Sequence, residues 1–522
     1  MRSSEPSGIT RPILRRAILS CLLLLSCVFG IASADDRPNI VLIMADDLGF
    51  SDVGCYGGEI STPNIDSLVR DGLRFTQFYN CARCVPTRAS LLTGLYPQQA
   101  DGVQSVTLAE VLRQAGYRTL MTGKWHGYSG YPWQRGFDRY YGLLSGSCNF
   151  FNPGNQRPGE PIPAKDFGLV RPFGINNQVI RPYTPADPNW YATDAFTDQA
   201  IEWLNESAAD DRPLFLYLAH TAPHHPLQAR DEDIARYRGR YRDGWDKLRE
   251  RRWQRLQQLG LPTESWALSP RTPDVPAWSD LTAKQQDDWD LAMAVYAAMV
   301  DRMDFQIGRL LDTLRKLGRE NNTLVLFLSD NGACAEINNQ TPDIPPGPMN
   351  SYRTYDVAWA NASNTPFRRF KRDTYEGGIC TPLIARWPAV IKQPGIKRDI
   401  GHVIDFMPTF CELAGATYPE TFNDRPVTPT EGRSLVPILR DRSRPDPELL
   451  CWEHIGNKGV RQSGWKLVGE GDPQVAANWE LYDLQTDRCE VRNLADADPD
   501  RVREMSKLWI DWAERTGWKQ KK

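Results

Sequence analysis

Four clusters of chemically capable residues stand at the ends of apolar runs. Asp46-Asp47 follows residues 39–44, and Gly123-Lys124-Trp125-His126 follows residues 117–122. His220-Thr221-Ala222-Pro223-His224 follows residues 214–219, and Ser329-Asp330-Asn331-Gly332 follows residues 323–328. Two adjacent acids beside a buried strand are costly unless something compensates their charge. One polar cluster after a strand is usually a turn, and Asn331-Gly332 alone is a strong turn signal. Four together, carrying acids, a lysine and histidines, point to a shared site. A fifth segment, Cys84-Val85-Pro86-Thr87-Arg88-Ala89-Ser90-Leu91-Leu92-Thr93-Gly94, puts Cys84 at a helix N-terminus with Arg88 one turn on. The free N–H groups there favour an anion or an anionic nucleophile. Standing alone, the same segment reads as a structural cysteine before a helix.

The elements that must position these residues alternate. The run at 39–44 is continuously apolar, as a parallel strand buried on both faces requires. The runs at 117–122, 214–219 and 323–328 repeat that pattern. Between them, Thr107 and Glu110 form a capping box for a helix ending at Gly116, and 295–317 carries apolar residues at helical spacing. This order predicts an α/β fold, a large mostly parallel sheet flanked by helices. Ligands bind such sheets at the carboxyl ends of the strands, where all four clusters fall. Residues 230–255, rich in Arg, read as a solvated helical insertion spanning about 227–290, with 261–285 a long loop. From 448 the texture changes to alternating strands at 465–468 and 479–484 and a helix over 499–512, a small α+β C-terminal subdomain with an antiparallel sheet.

The 522 residues carry a formal charge of −3 and 41% hydrophobic content, which excludes a disordered chain, a collagen and a multi-span membrane protein and gives no reason to expect nucleic acid. Residues 1–34 read as a secretory signal: Arg11, Arg15 and Arg16, an apolar stretch over 17–31, then Ala32-Ser33-Ala34. The protein is therefore expected to be exported, periplasmic or extracellular, with residues 35–447 as its catalytic domain. Cys21 and Cys27 leave with the signal, so an odd number of cysteines enters an oxidising compartment and at least one stays outside intramolecular pairing. Cys81 and Cys84 have the spacing of a redox or zinc pair, but no second pair or flanking histidine accompanies them.

The segment at 84–94 resembles the signature of the formylglycine-dependent sulfatases, in which this cysteine is oxidised to an aldehyde. The resemblance runs along nearly the whole mature chain and is closest to the bacterial arylsulfatases. It takes in Asp46-Asp47, Gly123-Lys124-Trp125-His126, Ala222-Pro223-His224 and Ser329-Asp330-Asn331-Gly332. It continues through Phe367-Arg368-Arg369-Phe370-Lys371, Tyr375-Glu376-Gly377-Gly378 and Trp452-Glu453-His454 to Leu481-Tyr482-Asp483-Leu484. It implies an alkaline-phosphatase-like sandwich and one divalent cation held by Asp46, Asp47, Asp330, Asn331 and the modified Cys84. Hard oxygen donors suit calcium or magnesium, and the resemblance favours calcium, the family's usual ion. Three carboxylates around that ion are expected to repel one another when it is removed.

The resemblance also implies roles. A geminal diol at position 84, steadied by Arg88, attacks sulfur, and its second hydroxyl later expels sulfate with His126 as the base. Lys124 bridges diol and sulfate, while His224 and Lys371 hold sulfate and assist the leaving oxygen. Ser145 and Ser147 are both candidates for a hydroxyl near the sulfate. His220, His225, His402 and His454 read as scaffold or pocket rim, and segments 142–200 and 227–285 as the pocket entrance. The implied partners are a sulfate-ester substrate, aryl or carbohydrate, and a formylglycine-generating maturation enzyme. A phosphonate or phosphodiester hydrolase of the same superfamily, and a catalytically silent sulfated-glycan binder, are the competing readings.

Overall fold

The computed structural model describes residues 37–100, 104–127, 129–263 and 265–518; the signal read at residues 1–34 lies outside the described residues. The central sheet is built from β1 (Asn39–Ala45), β2 (Gly72–Tyr79), β3 (Arg118–Gly123), β4 (Arg139–Leu143), β5 (Phe173–Ile175), β6 (Gln178–Ile180), β7 (Leu214–Ala219), β8 (Thr323–Ser329), β9 (Cys380–Arg386), β10 (Gly395–Lys397) and β11 (Gly401–His402). The order is β10-β2-β9-β8-β1-β7-β3-β4-β5-β6, with β11 also on β2. The centre, β8-β1-β7-β3-β4, is parallel. Both flanks carry antiparallel pairs, β8 with β9 and β9 with β2 on one side, β4-β5-β6 on the other.

Burial on both faces explains why β1 has no polar alternation. Val41, Ile43 and Ala45 enter one apolar cluster, while Ile40, Leu42 and Met44 enter the other. Helix Ala283–Lys316 covers the first face with Met293, Val300, Ile307 and Leu314. Helices Leu108–Gln114 and Phe406–Ala414 cover the second. The expected capping box is present, with Glu110 N donating to Thr107 Oγ1 and Thr107 N to Glu110.

Two expectations need correction. The long helix begins at Ala283, not 295, so it takes in the end of the expected loop and closes the insertion before 290. The Arg-rich segment is only half solvated. Helix Gly244–Gln258 buries Trp245, Leu248 and Leu256, and Arg252 is fully buried between Asp52 and Glu59, each at 2.7 Å. Burial of the Arg252 guanidinium comes with carboxylate partners supplied about 200 residues earlier.

Residues Thr421–Phe422 (β12) and Arg425–Pro426 (β13) make a small hairpin. The C-terminal part is a four-stranded antiparallel sheet, β14 (Leu450–His454), β15 (Asn457–Gln462), β16 (Trp465–Glu470) and β17 (Trp479–Asp483), under helix Pro499–Thr516. Its junction with the segment that follows Lys371 is ionic and buried. Glu376 meets Lys466 at 2.7 Å and also pairs with Arg488, and Lys466 meets Glu490 at 2.7 Å. Removing one member strands its partners in a low dielectric. Glu376→Ala is expected to destabilise the protein by about 3 kcal/mol or more, read as a lowered urea midpoint. An unchanged midpoint would show that water replaces the carboxylate. Among the described residues no helix is long and apolar enough to cross a membrane.

Candidate active site

The four clusters meet because their strands are adjacent, parallel and in step. Ala45 pairs with Ser329, Met44 with Ala219, and Ala219 with Gly123. Asp46-Asp47 and Asp330-Asn331 therefore emerge side by side, 283 residues apart in sequence at the Asp47 N to Asp330 Oδ1 hydrogen bond of 3.2 Å. Gly123 permits the close approach of β3 to β7: a Cβ there would lie 1.9 Å from the Ala219 carbonyl oxygen, and its φ is +97°. Cys84 opens helix Cys84–Thr93, which ends at left-handed Gly94, and the Thr87 hydroxyl accepts from Cys81 N at 2.9 Å to tie down the preceding turn.

Each acid has a basic partner. Lys124 Nζ donates to Asp46 at 2.6 Å, Lys371 Nζ to Asp47 at 3.0 Å, and Arg88 to Asp330 through Nε and an NH2 at 3.1 and 2.7 Å. All six side chains are essentially buried. The expected repulsion among uncompensated carboxylates is thus corrected: three acids face three cations. Compensation is uneven, however. Burial and the neighbouring Asp330 push the Asp46 carboxyl up. Burial pushes Asp47 the same way, but the Lys371 ammonium that donates to it outweighs burial and holds that carboxyl below its usual range. Asp46 Oδ1 and Asn331 Oδ1 are buried without a hydrogen-bond partner. Two orphaned oxygens beside two further carboxylates fit a hard cation, which would engage both. Donor atoms of Asp46, Asp47 and His224 also lie within 4.8 Å of one another, while Asp330 accepts from Arg88 and from Asp47 N.

The histidines differ in kind. His126, at φ +44°, has a buried Nδ1 with no partner. Burial and then Lys124, Arg88 and Lys371 push its pKa down to about 2, so it is neutral and basic in form. His224 Nδ1 lies 2.6 Å from the His225 carbonyl, which fixes Nδ1–H as donor and leaves Nε2 to accept from Lys371 Nζ at 3.4 Å. His220 is buried with neither ring nitrogen hydrogen-bonded, His402 contacts Cys81, and His454 is partly buried. Burial raises the Cys84 thiol, against the pull of Lys124 and Lys371. All nine described cysteines are free.

Cys84, His126, His224 and Lys371 border a cavity of about 300 Å³ together with Ser145, Gly146 and Ser147. Gly146 packs against the His126 ring, where a Cβ would come within 2.9 Å of Cε1. The mouth is formed by Asp166, Phe167, Arg171, Glu336 and Asn338, with Arg83 and His225. Segment 142–200 thus supplies the entrance as expected, but 227–285 contributes no lining residue; residues 336 and 338 take its place. Those loop residues carried no periodicity or motif by which the sequence could mark them.

A family model described as Sulfatase matches residues 38–416, and one described as N-sulphoglucosamine sulphohydrolase, C-terminal, matches residues 367–509. An uncharacterised sulfatase of Schizosaccharomyces pombe is 34% identical over 94% of this chain and 96% of its own. The arylsulfatase of Klebsiella aerogenes is 34% identical over 78% of this chain and 93% of its own. Among solved structures, Ps i-CgsB in complex with k-i-k-neocarrahexaose superposes with a TM-score of 0.65 at 26% identity, covering 91% of this chain and 93% of that one.

Proposed function

The chain belongs to the sulfatase family and is a hydrolase of sulfate esters, and we propose that Cys84, matured to formylglycine, is its reacting group and that Asp46, Asp47, Asp330 and Asn331 hold a calcium ion beside it. The observation that carries this assignment is the pair of orphaned oxygens, on Asp46 and Asn331, at the floor of strands whose other acids are already matched by bases. Hydrated formylglycine supplies two hydroxyls on one carbon, one to attack sulfur and one to release sulfate. A calcium ion held by these residues would supply positive charge for the sulfate oxygens and would make a hydroxyl at position 84 more acidic.

The chain's own groups do the rest. Arg88 is held through two nitrogens on Asp330 and donates to the Lys124 carbonyl at 3.0 Å, so it presents a fixed charge to position 84. Lys124 and Lys371 add two ammonium groups that match charge developing on sulfate oxygens. His126, neutral and with an unengaged ring nitrogen, accepts the proton of the hydroxyl that releases sulfate. Lys371, with His224 Nε2 behind it, faces the leaving oxygen, and Ser145 or Ser147 donates to sulfate. The substrate is an aryl sulfate or a sulfated carbohydrate; the arylsulfatase relative supports the first and the neocarrahexaose complex the second. Export through residues 1–34 brings the enzyme to such substrates, and a formylglycine-generating enzyme modifies segment 84–88 on the way.

His224→Ala tests the leaving-group assignment. A group that supports the departing oxygen matters most when that oxygen becomes a strong base. Across a series of aryl sulfates, kcat/KM is expected to fall about 10²-fold or more for the poorest leaving groups and only a fewfold for the best. An equal loss throughout would make His224 a sulfate binder instead. The same assay with an aryl phosphodiester separates the superfamily alternative: a sulfatase prefers the sulfate ester.

A further inference from the structure

We propose that Cys334, His225, Asp47 and Glu336 form a second metal site, one that takes a thiophilic divalent ion of the zinc or cadmium class and silences the enzyme when filled. Donor atoms of Asp47, His225 and Cys334 all lie within 4.8 Å of one another, and all three residues are buried. Cys334 Sγ is 4.0 Å from His225 Nδ1 and 3.6 Å from Glu336 Oε2. Tetrahedral bonds of about 2.3 Å to sulfur and about 2.0 Å to nitrogen or oxygen put neighbouring ligands roughly 3.5 Å apart, so Asp47, His225 and Cys334 close on one ion by shifts of about an ångström, and Glu336, which touches Cys334, swings in as the fourth ligand.

The donor chemistry separates this site from the oxygen-only site next to it. One sulfur, one imidazole and two carboxylates suit zinc-like ions, whereas calcium discriminates against the thiolate. The Cys334 thiol gives its proton to solvent as the sulfur–metal bond forms, and no oxidant or reductant enters. His225 and Glu336 line the cavity, so an ion from solvent meets them first. Lys371 Nζ stands 3.0 Å from Asp47 and 3.7 Å from Glu336. A metal ion replaces it as their counter-charge, displacing the ammonium from its place beside His224. Cys81 offers a contrast: its sulfur lies 3.8 Å from His402 Nε2, yet among the described residues no third ligand-bearing side chain comes within the same reach.

The test uses the full-length, calcium-saturated protein titrated with cadmium chloride. The spectral arm is run on Cys84→Ala, which lacks the reacting group, so it succeeds or fails independently of the sulfatase mechanism. The expected result is an ultraviolet thiolate-to-cadmium charge-transfer band that saturates at one equivalent, with parallel loss of aryl sulfatase activity in the parent enzyme and recovery on adding dithiothreitol. Cys334→Ala and Cys334→Ser, each checked for folding by circular dichroism, should keep cadmium-free activity within about twofold, lose the band, and require at least about tenfold more cadmium for half-inhibition. Cys81→Ala should titrate like the parent. A band and inhibition that survive both Cys334 substitutions, or no band at one equivalent, would overturn the site.

Discussion

Cys84→Ala is expected to fold normally and to turn over no sulfate ester, with kcat reduced by at least about 10⁴-fold, the scale on which removing a nucleophile acts. The fold should survive because Cys84 is a small residue at the first turn of a helix secured by its Thr87 turn, its Gly94 terminus and the buried Leu91 and Leu92. Activity should not, because alanine offers nothing to oxidise to the aldehyde and no hydroxyl to attack sulfur. Cys84→Ser separates attack from release. A single hydroxyl can accept the sulfuryl group once, but it has no second hydroxyl on the same carbon to expel sulfate. The variant should release the alcohol or phenol stoichiometrically and then stall as a covalent sulfate, visible by mass spectrometry of the tryptic peptide 84–88. In active wild-type protein that peptide should carry an aldehyde and react with a hydrazide probe, in proportion to specific activity. Full turnover by protein carrying only the thiol would overturn the mechanism.

That experiment targets a residue the sequence marked through its neighbours, and the same holds for much of the site. Buried parallel strands are written as unbroken apolar runs, so β1, β3, β7 and β8 could be placed to within a residue or two and their polar ends recognised as one site. The start of the long helix was hidden for a physical reason. Residues 284–288 are polar and mostly exposed, and continuous burial begins only near Ala292. The available signal was the capping box, in which Thr282 accepts from Gln285 N. The short strands β5 and β6 are antiparallel pieces at the sheet edge, and β4 joins them to the parallel centre; their few residues carry too little pattern to be read. Pairings such as Arg88 with Asp330 were invisible, since nothing local in either segment specifies a partner 242 residues away. The sequence showed three acids in need of a cation and left their compensation by Arg88, Lys124 and Lys371 to be found in three dimensions.

That compensation sets the outcome of removing the metal. With three carboxylates matched by three bases, the ion-free site is close to neutral, so chelation should abolish activity without unfolding the protein. What disappears is the excess positive charge that draws in a sulfate ester and polarises it. The stability change should then follow mass action alone: about 4 kcal/mol if calcium stands a thousandfold above its dissociation constant, and less in proportion to the logarithm of that ratio. Melting temperature should accordingly climb with added calcium, and activity should return when calcium is restored. Asp330→Ala should resemble chelation in activity but not in stability. It removes a cation ligand and also strands Arg88, which is fully buried, at a cost of about 3–5 kcal/mol. Added calcium should rescue neither loss. Asp330→Asn keeps the volume and a hydrogen-bond acceptor for Arg88, so it should recover part of the stability and little of the activity. Full activity after exhaustive chelation would remove calcium from the mechanism, and an unfolded chelated protein would mean that the three bases do not neutralise the three acids as their distances indicate.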